Sequence, residues 1–375
     1  MANDFPTTQV VADYASIYMA EYAGVANLMD RSNQAKFTGN KVGQTVQVMV
    51  EPNAGTAKEM TGSTSASDAT VNTMDLTIEH WFYDRCDLTS KELTFELPDL
   101  AKYVIAPKVR GIMTAINKYA IQKLQVFRQN IAGTVTSRPS TAAHIAAAHK
   151  VLRDNKIEKS GRVGIVDTTV ESSFVQLEQF ADTAFGMDNS ATLREMALGY
   201  KFGTAWFSDP DMGAFVRSSA ANVIAGTTVM DGDAAIGATT IHMDGNTADG
   251  TVYAGTCLVI TGDTTRYVLT KDATISGNEG DLEISPPLVV AAHDGDAITF
   301  EAAGFENLIF QPKATNLVVV GGAPLWGLDS VVQNFNGYEI RVSRGGSMTN
   351  LANSICFDCF VAARVDPRAG VLLCG

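Results

Sequence analysis

Residues 98–132 carry apolar side chains at the three- and four-residue spacing of a helix. Asp99 favours a helix start, and Pro107 suits the first turn of a second helix, where its missing N–H costs nothing. Gly133 and Pro139 mark the end of the helical pattern. The pattern predicts a short helix joined to a long one of about 26 residues and about 39 Å. Its apolar stripe consists of Val109, Ile112, Ile116, Tyr119, Ala120, Leu124, Phe127 and Ile131.

The residues before this helix alternate between strand-like runs and polar stretches. Residues 1–40 have the pattern of an arm, with a moderate helical period over Ala12–Met29. Thr45–Val50 is predicted to be a strand, and Leu76–Tyr83 its partner. About 25 residues rich in Gly, Ser, Thr and Ala separate the two strands, which is long for a loop of a compact domain. The segment is therefore either a mobile surface loop or a hairpin arm that becomes ordered against a neighbouring subunit.

Helices and strands alternate after the long helix. Helices are predicted at Thr141–Arg153 and Thr168–Phe185, with a shorter one at Thr192–Leu198. Strands are predicted at 162–167 and Lys201–Phe207. This alternation favours a mixed α+β domain.

The pattern changes abruptly between Asn222 and Phe300, where no helical period is found. Short β-rich runs are separated there by Gly, Asp and Asn turns, as in a small barrel or sandwich. The runs are ATTIHM, GTCLVITG, TRYVLTKDA, DLEISPPLVV and DAITFEA. Because the α+β pattern resumes at Glu306, residues 222–300 are predicted to be a β domain inserted into another domain.

Charge is distributed unevenly along the chain. The formal net charge of −13 over 375 residues argues against general nucleic-acid binding, which needs a cationic surface. Most of the negative charge lies in 221–300, whereas the predicted helix is basic, with only Asp99 opposing its cations. Those cations are Lys102, Lys108, Arg110, Lys118, Lys123 and Arg128. The basic helix is either a solvated face or a surface that meets acidic groups on another copy.

Composition narrows the class of protein. A hydrophobic content of 46% is typical of a folded globular protein, and no run of 18 apolar residues predicts a membrane span. The N-terminus lacks the basic and apolar regions of a signal peptide. Five scattered cysteines predict reduced thiols and synthesis in a cytoplasm.

No catalytic, cofactor or metal site is predicted from the motifs. The chain has no G-x-S-x-G, P-loop or post-strand G-x-G-x-x-G. His144 and His149 lie five residues apart on one helix, so they cannot chelate one ion. Cys356 and Cys359 form a lone C-x-x-C on a predicted strand and are read as packing residues. The Asp-Gly-Asp runs at 231–233 and 294–296 are interpreted as hairpin turns, with weak cation binding left open.

The order of these parts resembles a tailed-phage major capsid protein of the Hong Kong 97 type. The resemblance is carried by DLTSKELTFELPDLAKYVIAPKVRGIMTAINKYAIQKL, GRVGIVDTTVESSF, LGYKFGTAWFSD, RYVLTKDA, LEISPPLVV, GFENLIFQPKATNLVVVGG and YEIRVSRGGSMTN. It covers nearly the whole chain and is greatest for coat proteins like that of phage P-twenty-two, which carry an insertion domain. Each motif alone is weak, and their order over more than 300 residues carries the resemblance.

The resemblance implies an α+β capsid fold with an N-arm, an extended hairpin loop, a peripheral domain, an axial domain and an inserted barrel-like β domain. The N-arm is residues 1–40, and the extended loop with its strands is 41–83. The peripheral domain is 84–139, with the spine helix at 98–132. The axial domain is 140–221 and 301–375, and the inserted β domain is 222–300.

The implied function is a structural shell and not an enzyme. Identical subunits would form the hexamers and pentamers of an icosahedral shell around double-stranded DNA, without reading its sequence and without a membrane. A scaffolding protein and a portal are expected partners, with assembly in the bacterial cytoplasm and the virion as final location. The alternatives are an encapsulin-like compartment and a hydrolase with an accessory β domain.

Charged residues on the predicted spine and near the extended loop are the candidates for subunit contacts. Acidic residues of one subunit would meet the basic spine of a neighbour. The acidic candidates are Glu51, Glu59, Asp68, Glu92 and Glu96, and the basic ones are Lys108, Arg110, Lys118, Lys123 and Arg128.

Overall fold

The computed structural model describes residues 7–38, 45–49, 73–89, 101–181, 198–213, 216–219, 221–224, 228–347 and 352–375. Its α-helices are α1 (Thr8–Tyr22), α2 (Ala35–Thr38), α3 (Ala106–Leu124), α4 (Ala142–Asp154), α5 (Thr168–Val175) and α6 (Glu178–Ala181). None of the described helices is long and apolar enough to cross a membrane.

The strands of the described residues are mostly short. They are β1 (Thr45–Met49), β2 (Thr73–Thr77), β3 (His80–Thr89), β4 (Ile131–Ala132), β5 (Arg162–Val166), β6 (Tyr200–Lys201), β7 (Thr204–Ser208), β8 (Val229–Met230), β9 (Thr240–Asp244), β10 (Gly250–Val252), β11 (Cys257–Ile260), β12 (Tyr267–Leu269), β13 (Ala273–Ile275), β14 (Gly280–Ser285), β15 (Ile298–Phe300), β16 (Leu308–Phe310), β17 (Thr315–Val320), β18 (Asp329–Phe335), β19 (Tyr338–Ser347), β20 (Ala352–Val365) and β21 (Gly370–Leu373).

The chain divides into two compact units, and each is described by itself. The first unit contains Met1–Ala120 and Lys313–Arg364, and the second contains Ile121–Pro312 and Val365–Gly375. Lys313–Arg364, which the resemblance assigns to the axial domain, belongs to the first unit. The five predicted domain boundaries stay predictions.

A five-stranded sheet forms the framework of the first unit. Strands β17, β20, β19 and β18 follow in that order, and β3 also pairs antiparallel with β20. Helix α1 packs on β18 and β19 with a buried face of Val11, Ala12, Ala15 and Met19. The Thr7 side chain caps this helix by accepting a hydrogen bond from the Val10 backbone N–H.

The predicted partner strand Leu76–Tyr83 is in fact two strands of different sheets. Strand β2 ends at Thr77 and pairs antiparallel with β1, with Val46 opposite Leu76. Strand β3 begins at His80 and pairs with β20 over ten residues. The prediction of one strand was wrong because a continuous β-like pattern does not reveal a change of pairing partner.

The predicted spine is one helical segment whose geometry changes along its length. A π-helical turn at Ala101–Ile105 runs directly into α3, and a 3₁₀ stretch follows at Gln125–Gln129. Pro107 is the second residue of α3, so it does not separate two helices. The 19 residues of α3 span about 28 Å, shorter than predicted, because the 3₁₀ stretch begins at Gln125 and Ile131 already belongs to β4.

The predicted apolar stripe of the spine is confirmed up to Phe127. Val109, Ile116 and Leu124 are fully buried, and Ile112 and Tyr119 are nearly so. Ile131 is only half-buried. Asn117 shares the buried face and accepts a hydrogen bond from the Ala26 backbone N–H at 3.2 Å.

A mixed six-stranded sheet lies in the second unit, in the order β4-β21-β16-β5-β7-β6. Helix α4 packs on β4 and β21, and its bounds agree with the prediction. The predicted helix Thr168–Phe185 is α5 followed by α6, and residues 182–197 lie outside the described part. The predicted strand Lys201–Phe207 is a hairpin of β6 and β7, in which Phe202 and Gly203 have positive φ.

Residues 228–300 form a closed antiparallel barrel within the second unit. The sheet order is β15-β11-β12-β14-β9-β8. The two end strands join each other, since the Met230 N–H donates to the Asp296 carbonyl and the Ile298 N–H to the Thr228 carbonyl, both at 2.9 Å. Buried residues including Met243, Leu258, Tyr267 and Leu282 fill the core. The predicted β barrel is confirmed, while its bounds as an inserted domain stay a prediction.

Candidate functional site

The outer face of the five-stranded sheet in the first unit carries an apolar groove of about 620 Å³. Strands β3, β19 and β20 form its floor, and the loop before β18 forms one wall. Its lining residues are Trp81, Tyr83, Arg85, Leu325, Leu328, Arg341, Ser343, Arg344, Gly345, Gly346, Ser354, Cys356 and Asp358. We call this surface the sheet groove.

Alternation along β3 turns aromatic side chains into the sheet groove. Trp81 and Tyr83 are 58% and 70% exposed, and Arg85 is also exposed on the same face. Trp326, beside the wall residue Leu325, is 100% exposed. Contiguous exposed apolar surface of this kind marks interaction sites. The signal in the sequence is the two-residue spacing of Trp81, Tyr83 and Arg85, of which the predicted strand Leu76–Tyr83 includes only the first two.

A buried ion pair holds the floor of the sheet groove. Arg341 binds Asp358 through two parallel contacts, Nε to Oδ1 at 3.0 Å and Nη2 to Oδ2 at 2.5 Å. Trp81 Nε1 donates to Asp358 Oδ2 at 2.7 Å, and Arg341 Nη1 donates to the Ala323 carbonyl at 2.6 Å. The pair therefore fixes both the exposed tryptophan and the start of the wall loop.

Helix α3 is attached to the same sheet through Tyr119. Its hydroxyl donates to Glu79 Oε2 at 2.9 Å and accepts from the Ala363 backbone N–H at 3.1 Å. Its ring meets the edge of His80, with ring centroids 4.8 Å apart. Burial and the neighbouring Glu79 carboxylate raise the pKa of Tyr119 well above its usual range, so the hydroxyl stays a hydrogen-bond donor.

The predicted basic interface residues differ in their surroundings. Arg110 and Lys118 are exposed, and the Arg110 guanidinium lies 5.7 Å from the Tyr22 ring centroid. Lys108 Nζ is 2.9 Å from Asp84 Oδ1 of the same chain, and this hydrogen bond raises the pKa of Lys108. Lys123 is half-buried. Among the basic candidates within α3, Arg110 and Lys118 are therefore the two whose side chains are exposed.

The prediction that Arg128 offers an exposed cation was wrong. Its side chain is 1% exposed, because the 3₁₀ stretch after α3 turns it into the second unit. The barrel residue Cys257 lies against it, with Sγ 3.6 Å from the Arg128 carbonyl oxygen. The nearby Glu306 accepts a hydrogen bond from Gln125 Nε2 at 2.7 Å, and burial raises the pKa of its carboxyl.

The predicted acidic interface residues Glu51, Glu59, Asp68, Glu92 and Glu96 lie outside the described residues. Their pairing with the basic helix stays a prediction.

His149 is a structural residue of the second unit. Its Nδ1 lies 2.8 Å from Arg162 Nη1, and its Nε2 lies 3.2 Å from Thr204 Oγ1. Burial, with the charges of Arg162 and Lys159, lowers the pKa of His149 to about 4. Because Arg162 can only donate, Nδ1 accepts and the imidazole is neutral.

The C-x-x-C pair does not form a binding site. Cys356 and Cys359 are an odd number of residues apart on β20, so their side chains point to opposite faces of the sheet. Cys359 is fully buried, and burial raises its thiol pKa. It is thus a packing residue, as the sequence predicted.

Comparison with known proteins identifies the fold of this chain. No family model matches the chain, and no curated protein matches its sequence. A structure from Mycobacterium phage Che8 has a TM-score of 0.50 and 14% identity, covering 93% of this chain and 90% of that one. This chain has the Hong Kong 97 type capsid fold.

Two further structures also cover most of this chain. The capsid of the cyanophage P-SCSP1u has 11% identity and a TM-score of 0.49, covering 88% of this chain and 83% of that one. A virus-like particle from Pyrococcus furiosus has 8% identity and a TM-score of 0.40, covering 97% and 98%. The similarity to the Che8 structure confirms the predicted fold class, while greater similarity to phage P-twenty-two coat proteins stays a prediction.

Proposed function

We propose that this chain is a major capsid protein that self-assembles into an icosahedral shell around a phage genome. The observation that carries the proposal is the Hong Kong 97 type fold over nearly the whole chain, at 93% coverage. The function of such a protein is assembly, because its subunits must first associate reversibly and then close into a container.

The sheet groove supports an assembly role. Trp81, Tyr83 and Trp326 expose large aromatic surfaces, which are enriched at protein–protein contacts. The bidentate Arg341–Asp358 pair holds the groove floor rigid, so little ordering is needed when a partner binds.

The exposed charges of α3 support the same role. Arg110 and Lys118 lie on a long helix of an otherwise acidic chain. Exposed pairs contribute only about 0–1 kcal/mol each, but repetition over many subunits lets them set register and closure. We infer that these two cations meet acidic residues of a neighbouring copy, with the acidic candidates named above as partners.

The proposed partners follow from this role. Identical subunits form hexamers and pentamers, a scaffolding protein and a portal direct closure, and the shell holds DNA without reading its sequence. Assembly takes place in the bacterial cytoplasm, and the finished protein belongs to the virion. The chain has no enzymatic task in this scheme.

Sedimentation velocity of the purified protein tests the proposal. The 39.9 kDa chain is expected to sediment as hexamers, pentamers or shells, alone or with a co-expressed scaffold. A monomer at every concentration, with and without scaffold or crowding, would contradict a shell function. Turnover on an ester or glycoside by such a monomer would favour a hydrolase.

Neighbouring genes distinguish the two kinds of shell. Genes for a terminase and a portal next to the gene of this protein support a phage shell, whereas a cargo-enzyme gene would indicate an encapsulin-like compartment.

A further inference from the structure

Three outward side chains stand side by side on the surface of the barrel. His242 is in the middle of β9, and Asp281 of β14 is its direct cross-strand partner. On the other side, the Asp231 backbone N–H donates to the His242 carbonyl at 3.0 Å. The neighbours of His242 along β9, Ile241 and Met243, point inward and are buried. The antiparallel register therefore places these side chains in one row on the outer face.

The distances in this row give the imidazole two different neighbours. His242 Nδ1 lies 2.6 Å from Asp281 Oδ1, and Nε2 lies 3.4 Å from Asp231 Oδ2. Glu279, in the turn before β14, completes a group with Asp231 and His242 whose ligand atoms all lie within 4.8 Å of one another. Three chain segments thus converge on one point.

The hydrogen bond to Asp281 orients the histidine for metal binding. A carboxylate that accepts from one ring nitrogen fixes the tautomer and leaves the other nitrogen's lone pair free for a metal ion. Here the donor is Nδ1, so the free lone pair is on Nε2, facing Asp231. Zn²⁺ bonds of about 2.1 Å in a tetrahedral site place two ligands about 3.4 Å apart. The separation of Nε2 from Asp231 Oδ2 is also 3.4 Å.

We propose that Asp231, His242 and Glu279 bind one divalent transition-metal ion of the Zn²⁺ class. His242 Nε2 and one oxygen of each carboxylate are the ligands, a water molecule takes the fourth position, and Asp281 is a positioning residue. An imidazole with two carboxylates suits Zn²⁺ better than Mg²⁺ or Ca²⁺, which take oxygen ligands.

The ion links β8, β9 and the turn before β14. Strand β8 is one of the two strands that close the barrel, and only Val229–Met230 belong to it. Binding to the folded barrel alone stabilises it by mass action. This inference is independent of the proposed shell function, because the site lies within one chain. The motifs leave open only weak cation binding at the 231–233 turn, because residues 231, 242 and 279 come together only through the register of the barrel strands.

Metal uptake by the full-length protein tests the site. Chelator-treated wild type and variants are dialysed against Zn²⁺, and bound metal per chain is measured. Wild type is expected to bind one more Zn²⁺ per chain than His242→Gln or Glu279→Gln, and Asp281→Asn to bind it more weakly. Co²⁺ should give visible d–d absorption bands in wild type that His242→Gln lacks.

His293→Gln is the matched control. His293 Nδ1 lies 3.4 Å from Asp233 Oδ1, and both side chains are about three-quarters exposed, so it is a similar His–Asp pair in the same barrel. This variant should retain the wild-type stoichiometry and Co²⁺ spectrum. Equal uptake by wild type, His242→Gln and Glu279→Gln would overturn the proposal, as would loss of the ion in His293→Gln alone. If His242→Gln fails to fold, Glu279→Gln decides, because that residue is exposed in a turn.

Discussion

At the scale of single residues, Asp358 connects two parts of the sheet groove, because it binds both Arg341 and Trp81. We predict that Asp358→Asn lowers the free energy of unfolding of the unassembled subunit by about 3–5 kcal/mol, since it leaves Arg341 buried without its counter-charge. The Arg341 and Asp358 side chains are only 7% and 3% exposed. Urea denaturation followed by tryptophan fluorescence measures the change.

Asp87→Asn is the control for this substitution. Asp87 pairs with Arg85 on the same strand, but the two side chains are 55% and 57% exposed. Solvated pairs contribute little, so this variant should stay close to wild type. Equal stability of the two variants would show that the buried pair does not hold the groove.

His149 makes stability depend on pH in a predictable direction. Its pKa is about 4 in the folded chain and 6.5 when unperturbed, so between these values the unfolded state binds a proton that the folded state does not. The stabilisation is complete above pH 6.5 and is lost as the pH falls towards 4. We predict that His149→Gln flattens this part of the stability profile, measured by thermal unfolding of the subunit. His144→Gln, on the same helix, should retain the wild-type slope; an unchanged slope in His149→Gln would contradict the assignment.

At the scale of single residues, the sequence predicted which side chains are buried better than it predicted which charged side chains are exposed. The spacing of Val109, Ile116 and Leu124 alone identified the buried face of the spine. Arg128 was misassigned because helical periodicity was extended through a 3₁₀ stretch, which turns side chains by a different angle per residue. The proposed metal ligands were not predicted as one group, because cross-strand neighbours depend on register, which no single strand reveals.

Among the elements, α3 supplies a direct test of charge in assembly. We predict that reversing Arg110 and Lys118 together to Glu weakens subunit association and leaves unfolding of the isolated subunit nearly unchanged. Both side chains are exposed, so neither contributes to the core. Wild-type association should also weaken with salt, since the Debye length is about 10 Å at 0.1 M. Light scattering across a salt titration measures both effects.

The matching control reverses Lys150 and Arg153, two exposed cations of α4. The same change of net charge at a different helix should affect association less. If both double variants assemble as wild type does, the apolar surface alone holds the contact. Equal weakening in both would indicate a net-charge effect rather than a contact at α3.

The barrel is the element most able to fold by itself. Its six strands close on one another, and its core includes Val223 and Ile224 from the preceding 3₁₀ turn. We predict that a fragment of residues 220–302 gives dispersed β-type amide signals in a ¹H–¹⁵N NMR spectrum. A collapsed spectrum would show that packing against neighbours such as Gln125, whose side chain fills the space that a Cβ on Gly255 would occupy, is required for folding.

The sequence predicted most elements correctly but not how they pair. Helix α4, strand β5 and the β-rich insert follow directly from their periodicity. The separation of β2 from β3 and the grouping of 313–364 with the N-terminal unit depend on long-range pairing with β20. Such pairing depends on the whole fold and cannot be recognised from the sequence of a single strand.

For the whole molecule, the order of segments along the chain was more informative than any motif. No single motif was a ligand signature, yet their sequence implied the Hong Kong 97 type fold that the described residues adopt. The candidate contact surfaces were only partly predictable. The charges of α3 could be read from the sequence, whereas the sheet groove required the pairing of β3, β20 and β19.

Electron microscopy of the overexpressed protein tests the central claim most directly. The shell function predicts hollow, closed particles of uniform size, with subunits clustered in fives and sixes and the barrel resolved as a separate density. The experiment should be done with and without a co-expressed scaffolding protein. Dispersed single subunits of 39.9 kDa under all these conditions would contradict the shell function.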